Sequence, residues 1–331
     1  SVEGALRYHR ERLVQPERER WPRRPAPAKL LCSTLWLGGP GRLTFDEFRA
    51  YVDHMAQAGF HVLSLGTTWR DAEPKPGELS LAFTDNAITY AANKGLWIQF
   101  RLVSTSRPAW IADRPGQVDF QGKPSHVHVF TDAEINARLA SFYRAVAARY
   151  RGYPILSYSS AFSECAETEY SAGGPWRDYS EPAVAHFRAF LKRRYPSLEV
   201  LNAAWGTRYA SWDEVKPEFH GDGIPEKPAR YSDFMRQREE ALLELNTLLA
   251  KALKEGDPQA EYAVQCGRIY SGECASRGTV GVGYWAKDAD WVITDPAPRD
   301  DVRWQSAVCR AFGKSSVAEL DGLYAYDRDK V

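Results

Sequence analysis

Four glutamates carry the most readable chemistry in this chain: Glu164, Glu167 and Glu169 in one short stretch, and Glu319 far downstream. Two carboxylates facing each other across a pocket are what glycosidic cleavage needs. One protonates the leaving oxygen and the other attacks the sugar carbon or activates water, with the pair about 5–5.5 Å apart in retaining enzymes. A loop Glu is ordinarily surface charge, so placement must decide. Glu167 and Glu169 compete with Glu164 for the acid role. An acid working near neutral pH needs its pKa raised by a neighbouring carboxylate and an apolar wall. Glu319 must stay ionised, and Arg107, Arg268 and Tyr270 are candidate donors to it.

The elements that would position these residues alternate in type. Apolar runs at Lys29–Leu37, His61–Gly66, Leu96–Val103, Ile155–Phe162, Glu261–Arg268, Asp290–Thr294 and Ser315–Leu320 read as strands. Between them, apolar residues recur at helical spacing. Thr44 with Glu47 forms a capping box ahead of Phe48, Tyr51, Val52 and Met55. Thr131 with Glu134 forms a second, ahead of Ile135, Leu139, Phe142 and Val146. Further helices are predicted over Thr84–Lys94, Ser180–Tyr195 (with Pro182 in its first turn), Leu198–Trp205, Ser232–Lys254 and Val302–Phe312.

Strand–helix alternation predicts an α/β fold with a parallel sheet. Seven such units favour a (β/α)8 barrel, apparently truncated after the seventh strand. Residues 1–28, polar and Arg-rich, are expected to form an N-terminal extension and 29–331 the barrel, with the eighth unit not seen. In such a barrel the active residues stand at the C-terminal strand ends. Those ends carry Trp36; Thr68, Trp69, Arg70 and Glu73; Ser104, Ser106, Arg107 and Trp110; Ser163, Glu164, Glu167 and Glu169; Arg268, Tyr270 and Glu273; Asp295; Glu319 and Asp321. Trp36, Trp110, Trp205 and Trp285 are candidate platforms for a sugar face, and each could equally fill the core.

Composition closes other routes. Lys plus Arg and Asp plus Glu are both 43, for zero net charge, which excludes a globally basic nucleic-acid binder. No apolar run is long enough to span a bilayer, so no membrane is expected, and no signal peptide is visible. Localisation stays open between cytoplasmic and secreted. Five scattered cysteines make a poor disulfide framework. His126-Val-His128 has the form of a metal-binding HxH pair, but the other histidines do not complete a ligand set. No metal or cofactor is expected, and His126 reads as a substrate contact at the pocket rim. Gly278-Thr-Val-Gly281-Val-Gly283 is not a dinucleotide fingerprint, and no GxSxG occurs.

Three stretches carry a family resemblance. Trp69-Arg-Asp-Ala-Glu-Pro-Lys-Pro-Gly77, followed by Asp85, Ile88, Ala91 and Lys94-Gly-Leu96, resembles the second βα unit of clan A glycoside hydrolases. Thr105-Ser-Arg-Pro-Ala-Trp110 resembles the loop after strand three in the β-galactosidases of family 42. The most specific match is Phe187–Pro217, with Phe190-Leu, Arg194-Tyr195, Leu201-Asn202-Ala-Ala-Trp205-Gly-Thr207 and Ser211-Trp212. The resemblance implies a retaining β-glycosidase acting on a terminal β-linked sugar, most readily a β-galactoside, with Glu164 as acid/base and Glu319 as nucleophile. It implies a carbohydrate as the partner and Ser163 as a substrate contact; Trp36, Arg107, Trp110, His126, Arg268, Tyr270 and Trp285 are candidate substrate contacts by residue type and position. A homo-oligomer is compatible with the sequence. Where the family places an Asn before the acid/base, this chain has Ser163. That departure keeps an alternative open: a non-catalytic carbohydrate-binding protein on a glycosidase-like barrel.

Overall fold

The computed structural model describes residues 32–34, 43–163, 167–170, 176–217, 228–267, 277–294 and 302–318. Its strands are β1 (Cys32–Thr34), β2 (Val62–Thr68), β3 (Trp97–Val103), β4 (Gly116–Val118), β5 (Pro124–His128), β6 (Ile155–Ala161), β7 (Tyr262–Cys266), β8 (Trp291–Thr294) and β9 (Ser315–Ala318). Its helices are α1 (Phe45–Gln57), α2 (Trp69–Ala72), α3 (Ala82–Asn93), α4 (Ala133–Arg149), α5 (Glu181–Arg194), α6 (Leu198–Trp205), α7 (Pro228–Gly256), α8 (Val282–Trp285) and α9 (Val302–Ala311). Seven strands form one sheet in the order β1-β2-β3-β6-β7-β8-β9, every pair parallel. This is the expected barrel architecture, with the described strands making up seven of its staves. β4 and β5 form a separate antiparallel hairpin that the strand–helix reading did not foresee.

The strands alternate with a period of two. Leu63, Leu65, Ile98, Phe100, Leu102, Tyr158, Tyr262, Val264 and Val292 point outward and join the main core under the helices. The opposite positions are polar and just as buried: Ser64, Gln99, Arg101, Ser159 and Gln265. Ser64 Oγ donates to Gln99 Oε1, and Gln99 Nε2 donates to Ser159 Oγ at 2.6 Å. A polar chain thus crosses the barrel interior, where branched aliphatic residues are the usual filling.

The helices carry their own start signals. The Thr44–Glu47 capping box forms as read from the sequence, with Thr44 N donating to Glu47 Oε2 at 2.7 Å. The second box does not form. Asp132 caps α4 instead, its Oδ1 accepting the N–H of Glu134 at 3.0 Å and of Ile135 at 3.1 Å. Asp132 stands one residue closer to those orphan donors than Thr131 and presents a charged acceptor to them.

Helices α4 and α7 pack against each other. Their contact needs Gly256, where a Cβ would collide with the Arg144 carbonyl. Beneath them, Ser160 Oγ accepts from Tyr143 at 2.9 Å and lies 2.7 Å from the Tyr262 hydroxyl, which donates to Asn246 Oδ1 at 2.6 Å. A satellite core of Phe187, Leu191, Leu201, Trp205, Val215, Phe234 and Met235 builds the segment most specific in the sequence. Trp205, a candidate sugar platform on sequence grounds, is buried there. Its Nε1 donates to Asp233 Oδ2 at 2.9 Å, and that oxygen also accepts from the Tyr195 hydroxyl at 2.6 Å.

Candidate active site

Parallel pairing puts the C-terminal ends of all seven strands at one rim, and the loops leaving that rim hold the candidate residues. After β2, α2 opens the Trp69–Gly77 motif. Trp69 is fully buried, and its Nε1 donates to Glu73 Oε2 at 2.6 Å. The other Glu73 oxygen accepts the Gly77 N–H at 2.7 Å, and its carbonyl accepts Trp110 Nε1 at 2.9 Å. The motif is therefore a scaffold that ties the β2 loop to the β3 loop. Trp110 stands edge-on to Trp69 with 5.9 Å between ring centroids, and Arg138 lies 5.3 Å over its ring. Its indole is half-buried in that packing.

Arg107 leaves the β3 loop and donates to the Arg114 carbonyl at 2.7 Å. Partial burial depresses its pKa. The β4–β5 hairpin then lays two histidines in opposite surroundings. His126 is exposed and His128 is fully buried. His128 lies between the rings of Phe130 and Phe162, at 5.2 and 5.8 Å, and neither ring nitrogen has a hydrogen-bond partner among the described residues. Burial, with the Arg107 charge adding to it, lowers its pKa to about 3. Two residues apart, the histidines share a strand face; they differ because burial rises along β5, with Pro124 and His126 exposed and Val127 and His128 buried. Among the described residues one group of His and carboxylates could converge on an ion: His186, Glu240 and Glu244. They are paired already, Glu240 with Arg193 and His186 with Glu244 at 3.0 Å.

The loop after β6 is heavily cross-linked at its described residues. Ser163 is buried, its N–H donates to the Glu167 carbonyl at 3.0 Å, and its Oγ accepts the Glu167 N–H at 3.2 Å. These two bonds tie residue 163 to residue 167. β6 and β7 pair only at Tyr158–Tyr262 and Ser159–Ala263. Beyond that point Thr168 enters between them. Its N–H donates to the Gln265 carbonyl at 2.6 Å, and its Oγ1 donates to the Ser160 carbonyl at 2.5 Å and accepts the Gln265 N–H at 2.9 Å.

On either side of Thr168 stand two buried carboxylates. Arg277 Nη1 donates to Glu167 Oε2 at 3.0 Å and to Glu169 Oε1. Glu169 Oε2 accepts the Gly267 N–H at 3.2 Å. Burial, together with the negative charge of Glu167, pushes the Glu169 pKa well above the usual carboxylate range, against the pull of Arg277. Sequence reading picked out both glutamates but not their cation. Arg277 and the wedge at Thr168 are long-range contacts with no local signature.

Glu164, Glu319, Trp36, Arg268 and Tyr270 lie outside the described residues, as does the side chain of Trp285. Their carriers are in place: β6 ends at Ala161, three residues before Glu164, and β9 at Ala318, one residue before Glu319. The described cysteines Cys32, Cys266 and Cys309 are not joined in a disulfide.

Comparison with known proteins agrees with this layout. A β-galactosidase from an Arthrobacter species is 28% identical over 262 residues, which covers 73% of this chain and 35% of the relative. The β-galactosidase BbgII of Bifidobacterium bifidum is 27% identical over 67% of this chain and 34% of its own length. The chain thus spans about a third of the length of these curated relatives. Among solved structures, a β-galactosidase from the psychrophilic Marinomonas ef1 aligns with a TM-score of 0.64 at 21% identity, over 81% of this chain and 40% of that one. The catalytic domain of a β-amylase from Paenibacillus polymyxa aligns with a TM-score of 0.70 at 15% identity, over 84% and 82%. At those identities the structural likeness speaks for the fold, a glycoside hydrolase TIM barrel. The family model described as β-galactosidase, that of glycoside hydrolase family 42, matches residues 40–303, and the chain belongs to that family.

Proposed function

We propose that this chain carries the catalytic barrel of a retaining β-glycosidase, with a terminal β-galactoside as the leading substrate. The observation that carries the reading is that a family-42 barrel sends β6 and β9 toward one rim, with Glu164 and Glu319 in the first residues beyond them. With strands about 4.8 Å apart, β6 and β9 are about 14 Å apart along the sheet, and barrel curvature shortens the direct span. The reading requires the two glutamates to close the remaining gap to the distance of a retaining pair.

In this mechanism Glu319 attacks the anomeric carbon while Glu164 protonates the departing oxygen. Glu164, now a carboxylate, takes the proton from the water that breaks the glycosyl–Glu319 ester. Arg107, Arg268 and Tyr270 serve as donors near the sugar and nucleophile, Trp36, Trp110 and Trp285 as apolar faces, and His126 as a rim contact. Ser163 would supply a shorter donor than the Asn of the family pattern. A pH–rate bell is expected, its acidic limb from Glu319 and its basic limb from Glu164.

One observation favours a second reading, a barrel that binds sugar without turning it over. Ser163 is buried and its oxygen is engaged by the Glu167 N–H, which leaves it poorly placed to replace the family's Asn. Hydrolysis of aryl β-galactosides by the full chain separates the two. Turnover lost in Glu164→Ala and Glu319→Ala supports the enzyme. Saturable galactoside binding without turnover supports the binding protein.

A further inference from the structure

We propose that Glu167, Glu169 and Arg277 form a latch that fixes the loop after β6 onto the end of β7, making Glu169 a positioning residue for the acid carried at position 164. The inference rests on the glycosidase reading above, and it deepens that reading by adding a part the family resemblance did not supply.

Three observations lead to it. The first is the wedge. Thr168 is bonded to both strands, so its neighbours Glu167 and Glu169 are held at the seam where β6 and β7 separate. The second is convergence. A single nitrogen, Arg277 Nη1, bonds both carboxylates, while the Gly267 N–H holds the far oxygen of Glu169. The third is fit. Gly267 continues the inward-facing series of Ala263 and Gln265 on β7, and a Cβ there would collide with Arg277 Nη1. The backbone is bare where the guanidinium must lie. Tyr170 N also donates to the Arg277 carbonyl at 2.9 Å, which pins the far end of the loop to the same residue.

The charge balance follows. Two buried carboxylates side by side repel each other in a poorly solvated place. One proton held between Glu167 and Glu169 relieves that repulsion. Among the described residues, the groups acting on the Glu169 carboxyl are Glu167 from its own loop, Arg277 from the chain ahead of α8, and the Gly267 N–H from β7. The latch reaches the chemistry through the chain: Ser163 and Glu167, bonded to each other, flank residue 164 in the sequence.

The test uses the full chain and four variants: Glu167→Gln, Glu169→Gln, the double variant, and Glu169→Ala. Each is assayed on two aryl β-galactosides, one with a poor leaving group that needs acid assistance and one with an activated leaving group that does not. Each single Gln variant keeps one negative charge for Arg277 and should retain kcat within tenfold. The double variant takes both carboxylates away from the buried guanidinium and, like Glu169→Ala, should lose kcat at least 100-fold on the poor leaving group. The loss on the activated one should be under tenfold and KM should move less than threefold. The infrared spectrum at neutral pH should show in the wild type a protonated-carboxyl component beyond that of the Glu164 acid, and Glu169→Gln should lose that component. Equal losses on both substrates would reduce the latch to a structural clamp. An additive double variant, or a protonated-carboxyl band unchanged in Glu169→Gln, would overturn it. If the wild type hydrolyses neither substrate, the glycosidase reading fails. The infrared band and the non-additivity of the two Gln substitutions in thermal unfolding then judge the latch on their own.

Discussion

Thr168 stands between β6 and β7 one strand position past their last pair, accepting the Gln265 N–H at 2.9 Å on Oγ1 and donating its own N–H to the Gln265 carbonyl at 2.6 Å. The same hydroxyl donates to the Ser160 carbonyl. Thr168 therefore substitutes for a strand partner, satisfying backbone groups that the diverging strands can no longer satisfy for each other. Thr168→Val keeps the shape but removes the hydroxyl, leaving the Gln265 N–H and the Ser160 carbonyl unmet. The expected cost is about 1–3 kcal/mol for each buried group left unpaired, visible as a lower midpoint in urea unfolding. An unchanged midpoint would show that the wedge is not holding the seam.

His128 sets the acid limit of stability. Its pKa is lowered to about 3 by burial, against roughly 6.5 in an unfolded chain. Between those values the unfolded chain binds a proton that the folded chain refuses, so stability falls as pH drops, by up to about 1.4 kcal/mol per pH unit. Asp178 acts the other way. Burial pushes its pKa up to about 6, so between the usual carboxylate value and 6 it is the folded chain that holds the extra proton, and stability is lost as pH rises. The two effects offset each other from about pH 4 to 6, and the His128 loss dominates below that range. Denaturant unfolding of His128→Gln across pH 3–7 should show a flatter acid limb than the wild type. A parallel acid limb would remove His128 from the account.

Asp233 is the linchpin of the satellite core. It is nearly fully buried and receives the Tyr195 hydroxyl, the Trp205 indole N–H and Arg194 Nε at 2.9 Å. Asp233→Ala strands two of these donors in a packed interior, and a cost of about 2–4 kcal/mol is expected. Asp233→Asn retains the acceptor oxygen and should lose less than half as much. Thermal melts of the two variants check the order; equal losses would mean that shape rather than hydrogen bonding holds this core.

Glu73 makes a separate prediction for the β2 and β3 loops. Its carboxylate ties Trp69 to Gly77 and its carbonyl holds Trp110. Glu73→Gln preserves one acceptor but not both, so the β2 loop should loosen. Faster amide hydrogen exchange across residues 69–77, with α4 unaffected, is the expected readout. Unchanged exchange would show that packing on Trp69 alone fixes the loop.

The barrel was legible because its signals are local. All seven strand positions read from apolar runs coincide with strands, and the Thr44 capping box forms as written in the chain. The β4–β5 hairpin was missed because its three-residue and five-residue strands carry no apolar alternation. Thr131 and Asp132 stand side by side and both are good caps, so only the backbone path decides between them. Trp205 was a plausible platform until the fold enclosed it with Asp233. At the site, Glu167 and Glu169 were visible as candidates. Their arginine was not, because the chain separates Arg277 from them by more than a hundred residues and only the folded barrel closes that gap.

The central claim is that Glu319 attacks the sugar as nucleophile with Glu164 as its acid. The most direct test is mass spectrometry of the full chain after incubation with a 2-deoxy-2-fluoro-β-galactoside bearing an activated leaving group, which slows hydrolysis of the glycosyl ester. Stoichiometric labelling of the proteolytic peptide that contains Glu319, lost in Glu319→Ala, is the predicted result. Turnover of ordinary aryl galactosides with no trapped ester, or a label on any other carboxylate, would contradict it.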